Sequence, residues 1–345
     1  MIILALETTC DETAAAVINE KLEVLGSVVA SQAALHEIYK GVVPEIAARA
    51  HVERILPVID ETLSKSGITL NDLDAIAVAN TPGLSGSLLV GLAAAKALCL
   101  AKSLPLVAVN HLHAHIFACQ FSSDTPIYPC VGLVVSGGHT HLYHYRSATE
   151  HVFLGGTIDD AAGEAFDKVA SMLGLPYPGG PSISKVALDG NPTAYNFPRS
   201  FLSEDKISFS FSGLKTAVRY AITGPGKFEI DPSSLSDQQR NDLAASFQQA
   251  VVDCLVAKSI AAVKQNCGAN EKRLCVGGGV AANRVFREQL AVACEKNGIE
   301  LHFAKLEHCT DNAVMGAIAI ERLKAGLVED MDLDILPGLI RNPVG

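Results

Sequence analysis

The sequence has no tryptophan, no C-x-x-C pair among its nine cysteines, and no basic leader ahead of its first apolar strand. The lack of tryptophan excludes nothing. Without paired spacing, the cysteines, most of them in apolar segments, read as buried thiols of a reducing cytosol. The N-terminus opens directly on a core strand, so no signal peptide is expected. Apolar runs of membrane-spanning length are also missing: the longest candidate, Leu88 to Leu100, is interrupted by Lys96. A cytoplasmic chain with no membrane partner is therefore expected. Cations are in deficit, 27 Lys and Arg against 37 Asp and Glu, for a net charge of −10. That balance argues against broad, nonspecific nucleic-acid binding, so any RNA contact must be a local patch or be shared with a partner.

With 345 residues, 49% of them hydrophobic, the chain has material for two domains with their own cores. The stretch from Val131 to Tyr145 reads as an apolar strand, a Ser136-Gly137-Gly138 turn and a returning strand. Adjacent glycines permit positive φ and leave backbone N–H groups open to an anion; an ordinary hairpin is the simpler reading. The N-terminus repeats the shape, with Ile2 to Glu7, the polar turn Thr8 to Thr13 and the strand Ala14 to Ile18. Two such units predict a duplicated α/β architecture, residues 1–128 and 129–345, with a cleft between the halves and an insertion around 190–240. Strands are expected at 22–30, 75–79, 106–109, 274–276 and 299–303. Helices are expected at 45–64, kinked at Pro57, and at 88–102, 112–120, 159–173, 241–265, 280–296 and 311–324.

Several motifs carry chemistry. The loop Asn80 to Ser87 follows a strand and precedes a helix, but lacks the G-K-[ST] ending of a phosphate loop, so close helix packing is the favoured reading. On a helix His111 and His115 lie one turn apart and suit a single metal, although surface histidines would share that spacing. Leu112 stands where a zinc protease carries its glutamate base. A third ligand is needed, and Asp311 is the best-placed carboxylate, unless it serves only as a helix N-terminal charge. The glycines 277–279 between a strand and a helix start, with Asn283 beyond, suit a nucleotide, or else tight packing of the strand against the helix. Glu164 and Asp167 share a helix face and suit ribose hydroxyls, or form a solvated face paired with Lys168. Lys206, Lys215 and Arg219, interleaved with Phe209 and Phe211, suggest phosphate contacts and a stacking surface for RNA, or equally an ordinary helix start with solvated cations.

Taken together, the segments Thr9-Cys10-Asp11-Glu12-Thr13, Gly41-Val42-Val43-Pro44-Glu45, His111-x-x-x-His115, Val135-Ser136-Gly137-Gly138-His139-Thr140, Asp159 to Lys168, Tyr177-Pro178-Gly179-Gly180-Pro181, Gly277 to Asn283 and Cys309-Thr310-Asp311-Asn312 resemble the bacterial TsaD family, in its order and over nearly the whole chain. Two places depart from the family pattern: His113 stands between the paired histidines, and Lys305-Leu306-Glu307-His308 leads into Cys309. The resemblance implies an actin-like (ASKHA-type) fold of two related halves. It implies transfer of the threonylcarbamoyl group from threonylcarbamoyl-adenylate to N6 of adenosine 37 in tRNAs reading codons that start with A. It also implies one divalent metal, iron(II) or zinc, held by His111, His115 and Asp311. The adenylate would sit on Val134, Val135, Ser136, Gly137 and Gly138 with Asp167, Gly180 and Asn283. A TsaB-like actin-fold protein, meeting the N-terminal half, and a TsaE-like ATPase are the implied partners. Asp11 is assigned as the base, or the group that orients the substrate. The competing readings are an ATP-dependent phosphotransferase of the same fold, disfavoured by the paired histidines, a non-enzymatic nucleotide-binding scaffold, and a metalloprotease.

Overall fold

Apolar residues that alternate or run continuously between polar turns set the strands, and both halves use them alike. In the computed structural model, which describes residues 1–39, 41–202, 204–224, 231–268 and 271–338, the chain divides into two compact units. One is Met1–Phe121 with Thr310–Gly345, the other Ser122–Cys309.

In the first unit β1 (Ile2–Glu7) pairs antiparallel with β2 (Glu12–Asn19), and β2 with β3 (Val24–Ser31). After the short α1 (Ala33–His36), α2 (Pro44–Ser66) runs through Pro57. β4 (Ala75–Thr81) then joins β1 in parallel. α3 (Ser85–Lys102) crosses to β5 (Leu106–Asn110), parallel to β4, and α4 (His111–Phe117) follows directly. The sheet order is β3-β2-β1-β4-β5. The loop before α3 and α3's first turns are packing features, as expected. A Cβ on Gly83 would stand 2.6 Å from the Thr9 carbonyl oxygen, and one on Gly86 2.8 Å from Ala48 Cβ.

The second unit repeats this connectivity. β6 (Cys130–Val135), β7 (Thr140–Tyr145) and β8 (His151–Gly156) form the antiparallel part. Then come α5 (Ala162–Met172), α6 (Gly179–Val186), α7 (Ser212–Thr223) and the long α8 (Asp237–Asn266). β9 (Arg273–Gly277) joins β6 in parallel, and α9 (Arg284–Asn297) leads to β10 (Glu300–Phe303), parallel to β9. Its order, β10-β9-β6-β7-β8, is the first sheet's order read from the other edge.

The chain from Thr310 on belongs with the first unit rather than with the later half to which the sequence reading joined it. There Asn312 caps a 3-10 turn, Ala313–Ala317, which passes into α10 (Ile318–Lys324) in place of one continuous helix. A Cβ on Gly316 would lie 2.8 Å from Ala5 Cβ, so glycine lets this turn sit directly on β1.

Four of these elements were not expected from the sequence: α1, β8, α6 and α7. The expected insertion at 190–240 contains α7, while residues 203 and 225–230 lie outside the described residues. α5 begins at Ala162 rather than Asp159, because the Asp159 carboxylate is engaged elsewhere, accepting from the N–H groups of Phe211 (2.9 Å) and Ser212 (3.4 Å) at the start of α7. Contrary to the reading of apolar runs, α3 and α8 both have the length and hydropathy of a membrane span; 72% of the α8 window is buried inside the protein.

Candidate metal centre and nucleotide site

The carboxyl ends of the parallel strands β1, β4 and β5 share one edge of the first sheet, and the candidate metal ligands gather there. Asn110 ends β5 and caps α4, its side chain accepting from Leu112 N at 2.9 Å. The helix therefore starts at His111, which puts His111 and His115 on one face. Their rings stand 4.6 Å apart, nearly perpendicular. Asp311 arrives on the returning segment: its Oδ1 is 3.5 Å from His111 Nε2 and 3.3 Å from His115 Nε2.

These residues fit a divalent ion. All three donor atoms lie within 4.8 Å of one another. Donors bound at about 2.1 Å with tetrahedral angles stand about 3.4 Å apart, the separations Asp311 makes with each imidazole. His115 is fully buried, yet neither ring nitrogen makes a well-directed hydrogen bond, although Nε2 lies close to the Asp311 carboxylate. Buried polar atoms left that way are uncommon and call for a partner. Burial lowers the pKa of His115, favouring the neutral ring a metal needs. Burial also disfavours a charged His111, but Glu7 and Asp311 outweigh it and raise the group to about 9. The pocket thus favours positive charge where the donors converge. Among the described residues this is the one group of three or more His, Cys, Asp or Glu side chains so gathered, and it does not include His113. The departure at Lys305–His308 leaves Asp311 in place.

Asp11 lies in the turn between β1 and β2, its carbonyl accepting from Gln32 N at 3.0 Å. Its side chain lies close enough to Glu12 and Cys10 to raise the pKa of both. Burial, with Asp311 and Asp11 nearby, raises Glu12 to about 9, and burial likewise pushes the Cys10 thiol up. Asp11 therefore stands among acidic groups that feel the charge of Asp311. Residue types and spacing did not single out Glu7, whose Oε2 is 3.0 Å from His111 Nδ1. Only the fold brings the end of β1 beside the paired histidines that follow β5.

In the second unit the carboxyl ends of β6 and β9 also share an edge. Val134 and Val135 close β6 and are fully buried, while Gly137 and Gly138 are exposed in the turn. The turn is tied by Ser136 N donating to His139 O at 2.8 Å. Neither glycine has a positive φ, so the left-handed angles that glycine permits are not used in this turn. What glycine provides here is room: a Cβ at Gly137, Gly138, Gly180 or Gly279 would meet nothing within 4 Å. The neighbouring glycines are closely packed. A Cβ on Gly163 would stand 2.5 Å from Ser136 O, seating the start of α5 beneath the turn, and Gly278, at φ +99°, lies against the Val135 carbonyl.

Asp167 and Asn283 are already engaged. Asp167 Oδ1 accepts from Gly179 N at 2.7 Å, tying α5 to the start of α6. Asn283 caps α9 through Phe286 N at 3.0 Å, and its amide donates to Ser184 Oγ at 3.0 Å and Gln248 Oε1 at 2.8 Å. The two residues thus brace the helix starts around the glycine turns. Glu164 pairs with Lys168 at 2.7 Å, as its plainer reading held.

The RNA patch does not form as expected. Phe209 and Phe211 are buried and stacked on each other, so they offer no outward stacking surface. Lys215 is bound to Asp160 at 2.6 Å, and the Arg219 guanidinium lies over Tyr220.

Two five-stranded sheets of the same connectivity define an actin-like (ASKHA-type) α/β protein. Solved structures share that fold. T. kodakarensis HypF has a TM-score of 0.60 at 15% identity, covering 94% of this chain and 48% of that one. Component A of the Acidaminococcus fermentans (R)-2-hydroxyglutaryl-CoA dehydratase has a TM-score of 0.51 at 14% identity, covering 94% and 99%. Sequence similarity is far closer to one family. The family model for TsaD, tRNA N6-adenosine threonylcarbamoyltransferase, matches residues 23–318. The Rhodopirellula baltica tRNA N6-adenosine threonylcarbamoyltransferase is 56% identical over 348 residues, covering 99% of this chain and 97% of that protein. The chain belongs to the TsaD family of transferases.

Proposed function

We propose that this chain transfers the threonylcarbamoyl group of threonylcarbamoyl-adenylate to N6 of adenosine 37 in tRNAs reading codons that begin with A. The observation that carries the reading is the convergence of His111, His115 and Asp311 in a chain of the TsaD family. The donor is a mixed anhydride, so its leaving group is already activated and no protein nucleophile is required. N6 attacks the carbamoyl carbon, the bond from that carbon to the adenylate oxygen breaks, AMP departs, and N6 loses a proton. The protein's task is to position the amine and to stabilise charge developing on oxygen.

His111, His115 and Asp311 would hold the divalent ion, iron(II) by family resemblance with zinc as the alternative. When bound it supplies a Lewis acid for the threonyl carboxylate or hydroxyl. Asp11 is assigned to take the N6 proton or to orient the amine. Val134 to Gly138, with Gly180, are assigned to the adenylate; the open space at Gly137, Gly138 and Gly180 supports this. Asp167 and Asn283 would hold the helix starts that frame it. A TsaB-like partner is assigned to the first unit, supported by Val52, Leu56 and Leu89, which leave α2 and α3 exposed and apolar. A TsaE-like ATPase and a cytoplasmic location complete the proposal.

The test is to incubate the chain with both partners, threonylcarbamoyl-adenylate and unmodified tRNA, then digest the RNA and analyse its nucleosides by mass spectrometry. N6-threonylcarbamoyladenosine at position 37 is the expected product. Its absence, with every component shown to be intact, would overturn the reading.

A further inference from the structure

The innermost charge beside the metal ligands is one to which no role has yet been given. Glu7, the last residue of β1, is 3% exposed. Its two carboxylate oxygens meet two different donors: Oε1 accepts from Thr9 N at 2.6 Å, and Oε2 lies 3.0 Å from His111 Nδ1. With Oε1 accepting from Thr9 N, Oε2 is left as the acceptor for a proton on His111 Nδ1. In the neutral ring the lone pair is then on Nε2, the nitrogen that lies beside Asp311. The Thr9 hydroxyl, 3.2 Å from the same Nδ1, adds a second contact.

We infer that Glu7 is the positioning residue that makes His111 a metal ligand, fixing its tautomer and ring orientation through the Nδ1–H; the inference rests on the proposed metal centre. Two features make glutamate specific here. Both oxygens must accept, which a glutamine cannot do, since its amide would direct N–H groups at Thr9 N–H or at the imidazole. Turned toward the imidazole, that amide would leave Nδ1 to accept and move the ring proton to Nε2, which blocks coordination. Glu7 also brings a second negative charge to a site in which Asp311 supplies the first, so the two carboxylates balance a divalent ion. Carboxylates placed behind ligating histidines raise ligand basicity and hold the ring, and their loss weakens metal binding on the order of 10–100-fold.

The test titrates zinc into the full-length wild type, Glu7→Gln, Glu7→Asp and His115→Ala in competition with a chromophoric chelator, with far-UV circular dichroism confirming that each is folded. Glu7→Gln should weaken zinc binding by on the order of 10–100-fold, and Glu7→Asp should recover part of that loss. Wild-type affinity in Glu7→Gln alongside a weakened His115→Ala would overturn the role of Glu7 alone. Equal affinity in wild type and His115→Ala would overturn the metal centre and this role with it. A second measurement needs no variant: in the zinc-loaded wild type, long-range 1H–15N spectra should show His111 protonated at Nδ1 and metal-bound at Nε2. Coordination through Nδ1 would overturn the inference even if Glu7→Gln failed to fold.

Discussion

Gly137 and Gly163 touch across the Ser136 turn yet make opposite demands. A side chain at Gly137 enters open space, whereas one at Gly163 enters the backbone of residues 136 and 137. Gly137→Val should therefore leave thermal stability nearly unchanged while abolishing adenylate binding by filling the space a phosphate needs. Gly163→Ala should cost about 1–3 kcal/mol of stability by overpacking and deform the same turn. Calorimetry of the two variants, with and without a nonhydrolysable adenylate analogue, separates these outcomes; full nucleotide affinity in Gly137→Val would show the turn to be structural. At the proposed metal centre, Ala at His111, His115 or Asp311 should each remove bound metal. Ligands of one ion act as a unit, so a double variant should be little worse than either single one. Wild-type metal content by elemental analysis in Asp311→Ala would remove that residue from the ligand set.

At the scale of elements, legibility in the sequence followed how local each start signal was. α4 was readable because Asn110, its own preceding residue, caps it and the histidines repeat at helical spacing. α6 and α7 were not, because their first N–H groups are satisfied from elsewhere, by Asp167 and Asp159 of the α5 region. No reading of the residues around 179 or 212 reveals a cap that lies far away in sequence. The same long range hid Glu7, while Asp311 was found only because two histidines demanded a third ligand. The Asp160 cluster illustrates the cost of reading charges without partners. Asp160 holds both Lys168 and Lys215, and those bonds outweigh burial and depress its pKa. Lys215→Ala should thus cost about 0.5–1 kcal/mol and leave the salt dependence of tRNA binding unchanged; a shallower salt slope would return Lys215 to the RNA surface.

A pH effect belongs to the contact between α2 and β2. His51 is buried, its Nδ1 2.8 Å from the Thr13 hydroxyl and its Nε2 3.0 Å from the Cys10 carbonyl oxygen. Burial lowers its pKa, against the bond to Cys10 and the charges of Glu7 and Asp11, while Arg54 adds to the lowering. The unfolded chain then protonates His51 before the folded one does. Its contribution is fully present above the unfolded value of about 6.5 and is lost as pH falls through the lower folded value. The difference in melting temperature between wild type and His51→Gln should shrink from pH 8 to pH 5; a difference that grows on acidification would contradict this.

For the whole molecule, a net charge of −10 opposes the approach of tRNA at long range, and exposed apolar residues on α2 and α3 remain to be covered. The purified chain alone should therefore transfer slowly or not at all, and a TsaB-like partner should restore multiple turnover and form a heterodimer by light scattering. Full turnover from the chain alone would sink that expectation. The duplicated sheets were legible from the two strand–turn–strand openings; the return of the chain to the first unit at Thr310 was not, because Gly316 against Ala5 is a contact between the two ends of the sequence. That return fixes an order of events during synthesis. A nascent chain that has released only the first 121 residues already displays His111 and His115 but not the carboxylate that completes their triad. In the proposed centre two imidazoles would hold a divalent ion far less tightly than three converging donors, so loading would wait until translation has passed Asp311. On that assignment, a chain stopped short of Asp311 would retain the ion poorly.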